Sequence, residues 1–288
     1  MSPDPLTVPL DTALAEAATR LAEAGIEEAR REARLLMVHA LEIDQAGLLR
    51  RRGSVLTPEE QGRFDGMVER RAARVPASQI IGRRGFWSLD FEVSDATLTP
   101  RPDSEAMIDM ALELRPERAA VRRILDLGTG TGCLLLSALA EYGDAFGIGV
   151  DVSPAAARIA RRNVQALGFT ARAATIIGAW DAALVGRFDL LLCNPPYIPT
   201  EDIAGLMPEV RLHEPRAALD GGADGLDPYR LLFPRIARLL APNGLALFEF
   251  GIGQEEGLRQ LAAACGLICQ GIRTDLGGHP RIIAISVT

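Results

Sequence analysis

The sequence has no lysine, and all 31 of its basic residues are arginine. We interpret this as a bias of genome composition and not as the mark of a site. Cysteine and histidine are also scarce, with four and three residues. The cysteines lack Cys-x-x-Cys spacing, and Cys265 and Cys269 lie among apolar residues, which favours packing over metal binding. The scattered histidines offer no metal cluster, so we predict no metal site.

A long apolar run is missing as well, which excludes a membrane-spanning helix, and the first residues do not resemble a signal peptide. The net charge is −7. This acidic balance argues against nucleic acid as the main partner, since phosphate binding usually requires a basic surface. We therefore expect a cytoplasmic protein in a reducing compartment, without a direct role on membranes or nucleic acid.

The first part of the chain is predicted to be helical. The 288 residues suffice for one large domain and a small one. Apolar residues recur at helical spacing from Leu10 to about Arg74, and Thr57-Pro58-Glu59-Glu60 combines a cap, a first-turn proline and acids. We predict a small helical domain without chemistry of its own over residues 1–75, with helices starting near residues 10, 27 and 57.

Residues 76–103 have a different character. The segment Phe86–Val93 alternates apolar and polar residues, as a strand or a hairpin does. The motif Pro100-Arg101-Pro102-Asp103-Ser104-Glu105 then leads into a helix. We predict a linker with a β-hairpin over residues 76–103 that roofs the site, with Arg101 and Glu105 ordering it. The catalytic domain is predicted to span residues 104–288.

Strand and helix patterns alternate from about residue 122, which is typical of an α/β protein with a largely parallel sheet. Strands are predicted near residues 124–127, 145–150, 172–177, 188–193, 245–250, 267–272 and 281–287. Helices are predicted over residues 133–142, 154–167 and 228–240. No clear helix is predicted between the last two strands.

The fourth of these strands carries the segment around which the site is predicted. Its apolar run between Asp189 and Asn194 is followed by Pro195-Pro196-Tyr197. Prolines lack an N–H and have a fixed φ, so they end the strand, and the residue before a proline is kept extended. These groups are therefore expected at the carboxyl end of the strand, where open α/β sheets bind ligands.

This group of residues suits transfer onto a planar NH2 nitrogen, which is a poor nucleophile because its lone pair is delocalised. The Asn194 side-chain oxygen and the Pro195 carbonyl can accept both N–H bonds, orient the lone pair and stabilise the positive charge that develops on nitrogen. Tyr197 can stack on the flat group. The alternative is an ordinary turn between a strand and a loop.

The first predicted strand runs into Asp126-Leu127-Gly128-Thr129-Gly130-Thr131-Gly132, whose glycines allow close approach of the backbone to a ligand. Asp151 ends the second strand, where a carboxylate can accept both hydroxyls of a ribose. The spacing differs from the Gly-x-Gly-x-x-Gly of dinucleotide folds, although an NAD-type site remains an alternative. Beside an NH2-orienting site, the loop favours S-adenosylmethionine as the methyl donor.

The pair of segments Asp126–Gly132 and Asn194–Tyr197 resembles class I methyltransferases that act on nitrogen. A wider set is similar to the HemK-type peptide-chain-release-factor glutamine methyltransferases. It comprises four motifs: the alternating segment Phe86–Val93, the linker motif Pro100–Glu105, Val210-Arg-x-x-Glu-Pro215 and Gly221-Gly-x-Asp-Gly-Leu226. The resemblance covers most of the chain. It implies a seven-stranded, mostly parallel methyltransferase sheet with a small helical amino-terminal domain, and N5-methylation of the glutamine in the Gly-Gly-Gln loop of class I release factors.

The resemblance also implies roles for single residues, and we expect a monomer that acts on the release factor. The cofactor is held by Asp151 at its ribose, Trp180 at its adenine, Asn194, and the loop Gly128, Thr129, Gly130, Thr131 and Gly132 at its methionine part. The substrate glutamine is held by Asn194, Pro195, Pro196 and Tyr197. Catalysis is assigned to Asn194, Pro195 and Tyr197. Asp126 is expected to brace the glycine loop through backbone N–H groups.

Two positions depart from the family pattern. Ala179 precedes Trp180 where the family often has an acid, so Asp181 or a backbone carbonyl is expected to contact the adenine amino group. Asp103 and Ser104 stand where the family usually shows Glu-Thr, which keeps the charge and the hydroxyl.

Three rival functions share parts of this site. Glutamine methylation of a ribosomal protein needs identical chemistry, although the linker motif favours the release-factor branch. Methylation of an adenine amine in DNA or RNA needs a flipped base and a basic channel, which the acidic balance disfavours. A non-catalytic binding module is disfavoured because both the glycine loop and the Asn194–Tyr197 segment are intact.

Overall fold

The structure is a computed structural model, which describes residues 8–182, 184–275 and 277–287. It divides into two compact units. The first comprises the described part of Met1–Gly82 together with Pro208–His213, and the second comprises the described parts of Arg83–Met207 and Glu214–Thr288.

The first unit is helical, as predicted. Its helices are α1 (Leu10–Glu23), α2 (Ala29–Ala40), α3 (Gln45–Arg50), α4 (Pro58–Ala72) and α5 (Ala77–Ile81). The predicted helix starts near residues 10, 27 and 57 are confirmed, whereas α3 and α5 were not predicted. Thr57 accepts a hydrogen bond from the Glu60 N–H at 3.2 Å, and the Glu60 carboxylate accepts one from the Thr57 N–H at 2.9 Å. This reciprocal cap satisfies two otherwise unpaired donors at the start of α4.

A short segment from the middle of the chain completes this unit. This segment is α9 (Pro208–His213), and the 3-10 turn Asp202–Gly205 that precedes it belongs to the second unit. The Glu209 carboxylate accepts hydrogen bonds from Arg71 at 3.0 Å and from Arg74 at 2.8 Å. Arg71 is buried and also pairs with Glu32. Nothing in the sequence pattern predicts this association, because the arginines and Glu209 lie far apart in the chain.

The second unit begins with the predicted hairpin, formed by β1 (Arg83–Phe86) and β2 (Leu89–Glu92). The side-chain amide of Asn163 is hydrogen-bonded to the backbone of β2. Its Oδ1 accepts a hydrogen bond from the Glu92 N–H at 2.8 Å, and its Nδ2 donates to the carbonyls of Glu92 and Thr131 at 3.0 and 2.9 Å. One buried amide therefore joins the hairpin to the glycine loop.

The remaining elements alternate as predicted. The helices are α6 (Glu105–Leu114), α7 (Cys133–Glu141), α8 (Pro154–Ala166), α10 (Asp227–Leu239) and α11 (Glu255–Ala264), with 3-10 turns at Pro102–Ser104, Arg118–Ala120 and Arg216–Ala218. The strands are β3 (Arg123–Leu127), β4 (Phe146–Asp151), β5 (Ala173–Ile177), β6 (Phe188–Cys193), β7 (Leu240–Glu249), β8 (Ile268–Thr274) and β9 (Pro280–Ser286).

Over the described residues these strands form one seven-stranded sheet in the order β5-β4-β3-β6-β7-β9-β8. Strands β5, β4, β3, β6 and β7 are parallel, and β9 runs antiparallel to β7 and β8. In the register, Leu127 of β3 lies opposite Val150 of β4 and Cys193 of β6. The next residues, Gly128, Asp151 and Asn194, therefore leave three neighbouring strands at the same edge.

Both faces of the sheet are covered, and this explains the apolar strands. In β6, Leu190 and Leu192 pack with α6 and α7 on one face, while Leu191 and Cys193 pack with α10 and α11 on the other. A strand buried on both faces has no polar side. Helix α11 was missed by the sequence prediction, because its buried stripe consists only of Leu258 and Ala262.

Candidate active site

The glycine loop follows β3 and has a backbone that only glycine adopts readily. Gly128, Gly130 and Gly132 have φ values of 75°, 56° and 82°, in the left-handed region that other residues rarely occupy. The N–H groups of Gly128 and Thr129 both donate to the Val150 carbonyl, at 2.9 and 3.0 Å. The loop is thus attached to the neighbouring strand β4 by its own backbone.

Asp151 braces this loop. Its Oδ2 accepts a hydrogen bond from the Gly130 N–H at 2.9 Å, and its Oδ1 accepts one from the Ser153 N–H at 2.9 Å. The side chain that caps α8 is that of Ser153, which accepts from the Ala156 N–H at 3.3 Å. Asp151 is therefore not the cap of this helix, and its carboxylate faces the glycine loop.

Asp126 acts on the loop in another way than predicted. We expected its carboxylate to accept backbone N–H groups of the loop. Instead, its Oδ2 accepts the Thr129 hydroxyl at 2.6 Å, and the Gly130 N–H donates to Asp151. Burial raises the pKa of Asp126 to about 7. A Cβ on Gly149 would lie 2.6 Å from the Thr129 oxygen, so the glycine there leaves room for this contact.

A cavity of about 310 Å³ opens at this edge of the sheet. Its walls include Gly128, Thr129, Gly130, Thr131, Asp151, Trp180, Asn194 and Pro196, together with residues 96–101, Ser104, Pro215, Ala217 and Ala218. Of the predicted site residues, Gly132, Pro195 and Tyr197 are not among those that line it. Gly132 instead faces α8, since a Cβ there would lie 3.7 Å from the Ala160 Cβ.

The Asn194 side of the cavity is built from side chains. Asn194 donates from Nδ2 to the Ser104 hydroxyl at 3.2 Å, and Ser104 donates to Glu249 Oε2 at 2.5 Å. The Tyr197 hydroxyl donates to the other Glu249 oxygen at 3.1 Å. Glu249 was not among the predicted site residues. The available signal was a single acid that ends the apolar strand β7.

The chain after Asn194 is held by the glycine motif Gly221–Leu226. A Cβ on Gly225 would lie 2.2 Å from the Tyr197 carbonyl oxygen, and one on Gly221 would lie 2.8 Å from the Pro196 carbonyl oxygen. The Gln254 side chain also donates to the Tyr197 carbonyl at 2.8 Å. Close backbone packing therefore requires glycine at these two positions.

The comparisons with known proteins identify the family of the chain. The family model for the PrmC N-terminal domain matches residues 12–82, and that for the methyltransferase small domain matches residues 104–220. The release factor glutamine methyltransferase of Rhodospirillum rubrum is 46% identical over 92% of this chain and 81% of its own length. That of Bradyrhizobium diazoefficiens is 43% identical over 98% of this chain and 96% of its own. The chain belongs to the release factor glutamine methyltransferase family.

The fold has a solved counterpart in a methyltransferase from Pyrococcus furiosus, at a TM-score of 0.54 and 18% identity over 75% of this chain and 98% of that one. The predicted class I S-adenosylmethionine-dependent methyltransferase fold, the family and the enzyme class are thereby confirmed. Within the described parts of the chain, no helix is both long and apolar enough to cross a bilayer.

The residues that line the cavity fit the S-adenosylmethionine expected for a release factor glutamine methyltransferase. A Cβ added to Gly128 would point between Trp180 and the Asn194 carbonyl, at 3.8 and 3.9 Å, so the missing side chain leaves part of the cavity free. Asp151 accepts one backbone N–H on each oxygen, and a carboxylate has further lone pairs for ribose hydroxyls. The cavity volume is in the range of small-molecule sites.

The expected contact of Asp181 with adenine is wrong. Its carboxylate is fully buried and pairs with Arg235 at 2.9 Å and with Arg238, both on α10. Trp180, the preceding residue, has a φ of +52° and lines the cavity. Because the chain reverses here, the Trp180 ring faces the cavity while the Asp181 carboxylate faces α10. A backbone carbonyl remains as the expected adenine contact.

The linker contacts agree with the structural role predicted for Arg101 and Glu105. Arg101 pairs with the buried Glu214 at 2.6 Å, and Glu105 accepts a hydrogen bond from the Trp87 N–H at 2.8 Å. Burial raises the pKa of Glu214, and the Arg101 charge opposes this shift. Both charged residues therefore hold the segment that covers one side of the cavity.

Burial also shifts the pKa values of the acid and the phenol beneath Asn194. It raises the pKa of Glu249, against the hydrogen bonds from Ser104, Tyr197 and Asn194 and the opposing charge of Arg281. It raises the pKa of the Tyr197 phenol far above its usual value, and Glu249 adds to that shift. Tyr197 therefore keeps its proton at neutral pH and cannot serve as a general base.

Proposed function

We propose that this protein transfers a methyl group from S-adenosylmethionine to the side-chain amide nitrogen, N5, of the glutamine in the Gly-Gly-Gln loop of class I peptide chain release factors. Relatives that carry the name release factor glutamine methyltransferase support the substrate class. The observation that carries the chemistry is the Asn194 side-chain amide in the wall of the cavity beside the glycine loop.

The proposed role of Asn194 follows from the electronic structure of an amide. Its nitrogen lone pair is delocalised, so the nitrogen must be oriented and its developing positive charge must be stabilised. The Asn194 side-chain oxygen and the Pro195 carbonyl are proposed to accept the two N–H bonds of the substrate. Tyr197 is proposed to help set the amide plane, and Pro196 supplies a wall of the cavity.

When bound, S-adenosylmethionine supplies an electrophilic methyl group on a sulfonium. The residues proposed to hold it are Gly128, Thr129, Gly130, Thr131, Asp151, Trp180 and Asn194, whereas Gly132 faces α8 and shapes the end of the loop. Because Tyr197 stays protonated, no base is assigned to the nitrogen. The amide nitrogen becomes strongly acidic once it carries the methyl group, and we propose that its proton then leaves to water.

The proposal extends to the organisation of the protein. Residues 1–75 are proposed to recognise the substrate protein, residues 76–103 to link the domains, and residues 104–288 to catalyse the transfer. We propose a monomer in the cytoplasm that does not contact nucleic acid directly.

The test is methyl transfer from labelled S-adenosylmethionine to a purified class I release factor, to ribosomal proteins and to duplex DNA in parallel. Peptide mapping is expected to find one added methyl group on the Gly-Gly-Gln peptide. A release factor with alanine in place of that glutamine is the matched control and should remain unlabelled. Label in a ribosomal protein would mean that this protein, and not the release factor, is the substrate. Label in DNA alone would contradict the proposal.

A further inference from the structure

Asn194 is the first member of a chain of hydrogen bonds that continues beneath the cavity. The chain runs from Asn194 Nδ2 to the Ser104 hydroxyl at 3.2 Å and from this hydroxyl to Glu249 Oε2 at 2.5 Å. Ser104 and Glu249 are 1% and 3% exposed, so water does not compete for these contacts. Ser104 ends the 3-10 turn of the linker, and Glu249 ends β7.

This chain of hydrogen bonds has a direction, because a hydroxyl has only one proton to donate. The short contact between Ser104 and Glu249 is typical of a hydroxyl that donates to a carboxylate. Ser104 can then only accept from Asn194, and the only donor of the Asn194 side chain is its NH2 group. The amide oxygen of Asn194 is thereby left for a donor outside this chain of hydrogen bonds.

Glu249 is held as an acceptor from its other side as well. Its Oε1 accepts the Tyr197 hydroxyl at 3.1 Å, and although burial raises the pKa of Glu249, the hydrogen bonds it accepts and the charge of Arg281 oppose this rise. If the Asn194 amide turned over, its oxygen would face the Ser104 lone pairs, and its NH2 group would face a substrate NH2 group. Both contacts would be unfavourable.

We propose that Ser104 and Glu249 are positioning residues that keep the oxygen of the Asn194 amide directed at the substrate NH2 group. This inference rests on the proposed function and adds to it the means by which Asn194 is oriented. It also gives the segment Pro100–Glu105 a part in turnover, since the hydroxyl of Ser104 decides which end of the amide is presented.

The test compares Ser104→Ala with Ser104→Thr, which keeps the hydroxyl. With release factor as substrate, Ser104→Ala is expected to lower kcat by about 10- to 100-fold, because an amide free to turn over is misplaced for reaction. The affinity for S-adenosylmethionine and the melting temperature should stay close to those of the wild type. Ser104→Thr should restore most of kcat.

Ser137→Ala is the matched control. Ser137 is also a buried serine, on α7, and its hydroxyl has no hydrogen-bond partner among the residues that the structure describes. Its kcat should equal that of the wild type. Glu249→Gln offers an NH2 group to Ser104, which permits the reversed direction, so its kcat should fall with unchanged cofactor affinity.

A second readout needs no substrate. In ¹⁵N-labelled protein, the two side-chain NH2 protons of Asn194 should have well separated shifts, because one is bonded to Ser104, and Ser104→Ala should reduce this separation. The inference is overturned if Ser104→Ala or Glu249→Gln keeps the wild-type kcat, or if the Asn194 signals do not respond. A wild-type enzyme that leaves release factor unlabelled would instead refute the proposed function, and the NMR result would still decide the orientation.

Discussion

The two sides of the cavity are built in different ways. The glycine-loop side consists mainly of backbone, and its braces Asp126, Thr129 and Asp151 lie within or close to the loop in sequence. The Asn194 side consists of side chains, and its supports are Ser104, 90 residues from Asn194 along the chain, and Glu249 of β7, 145 residues from Ser104. The glycine-loop side joins segments that follow each other in the chain, whereas the Asn194 side joins distant ones.

This difference leads to separate expectations for the two sides. A loop that offers backbone N–H groups and free space serves binding, so changes there should alter cofactor affinity. A set of oriented side chains acts on the reacting nitrogen, so changes there should alter turnover. The following variants test this division, from the largest expected effect to the smallest.

Asn194→Ala should have the largest effect, on turnover. It removes the acceptor that orients the substrate NH2 group and stabilises its developing charge, so kcat should fall by about 10³-fold. The substitution keeps the Asn194 backbone carbonyl, which is the part of this residue that faces Gly128, so the affinity for S-adenosylmethionine, measured by calorimetry, should remain near that of the wild type. A variant with nearly normal kcat would refute the assignment of Asn194, and a large loss of cofactor affinity would remove the division between the two sides.

Asp151→Ala should have a smaller effect, on binding. The loss of hydrogen bonds from a charged acceptor costs about 2 kcal/mol, which raises the Kd for S-adenosylmethionine by roughly 30-fold. At saturating cofactor, kcat should change little. The matched control is Asp144→Ala, which removes an exposed acid of the same unit that pairs only loosely with Arg122 at 3.4 Å. An unchanged Kd for S-adenosylmethionine in Asp151→Ala would contradict the proposed ribose contact.

Gly128→Ala should have the smallest effect, and Gly168→Ala provides its control. Both glycines have positive φ, 75° and 80°, so alanine should cost about 1 kcal/mol of stability at either position. Only at Gly128 would the new Cβ enter the cavity, since a Cβ at Gly168 meets nothing within 4 Å. Cofactor affinity should therefore fall by about tenfold in Gly128→Ala alone. Equal affinities in the two variants would mean that backbone strain and not space decides binding.

Much of the fold could be predicted because its signals are local. The apolar strand that ends at Asn194, the glycine loop after Leu127 and the capping box at Thr57 are all short segments whose geometry follows from their own residues. Helix α11 has too narrow a buried stripe to be recognised in this way. The place of Pro208–His213 in the helical unit was also missed, since Glu209 meets Arg71 and Arg74 only after folding.

The site shows the same limit. Asp181 was expected at the adenine because it adjoins Trp180, but the chain turns there and the acid pairs with α10. Glu249 was overlooked, because an acid at the end of an apolar strand has no function that its neighbours in sequence could reveal. Partners across the sheet decide the role of each carboxylate.

The sequence by itself determined the elements of the chemistry: a glycine loop, an acid after the second strand of the sheet and an asparagine before two prolines. These are properties of backbone conformation and of residue type, and they act over a few residues. Only the tertiary structure decided which carboxylate braces the loop and which end of the Asn194 amide faces the cavity. The direction of a hydrogen bond depends on the donors and acceptors that the fold brings together from distant parts of the chain.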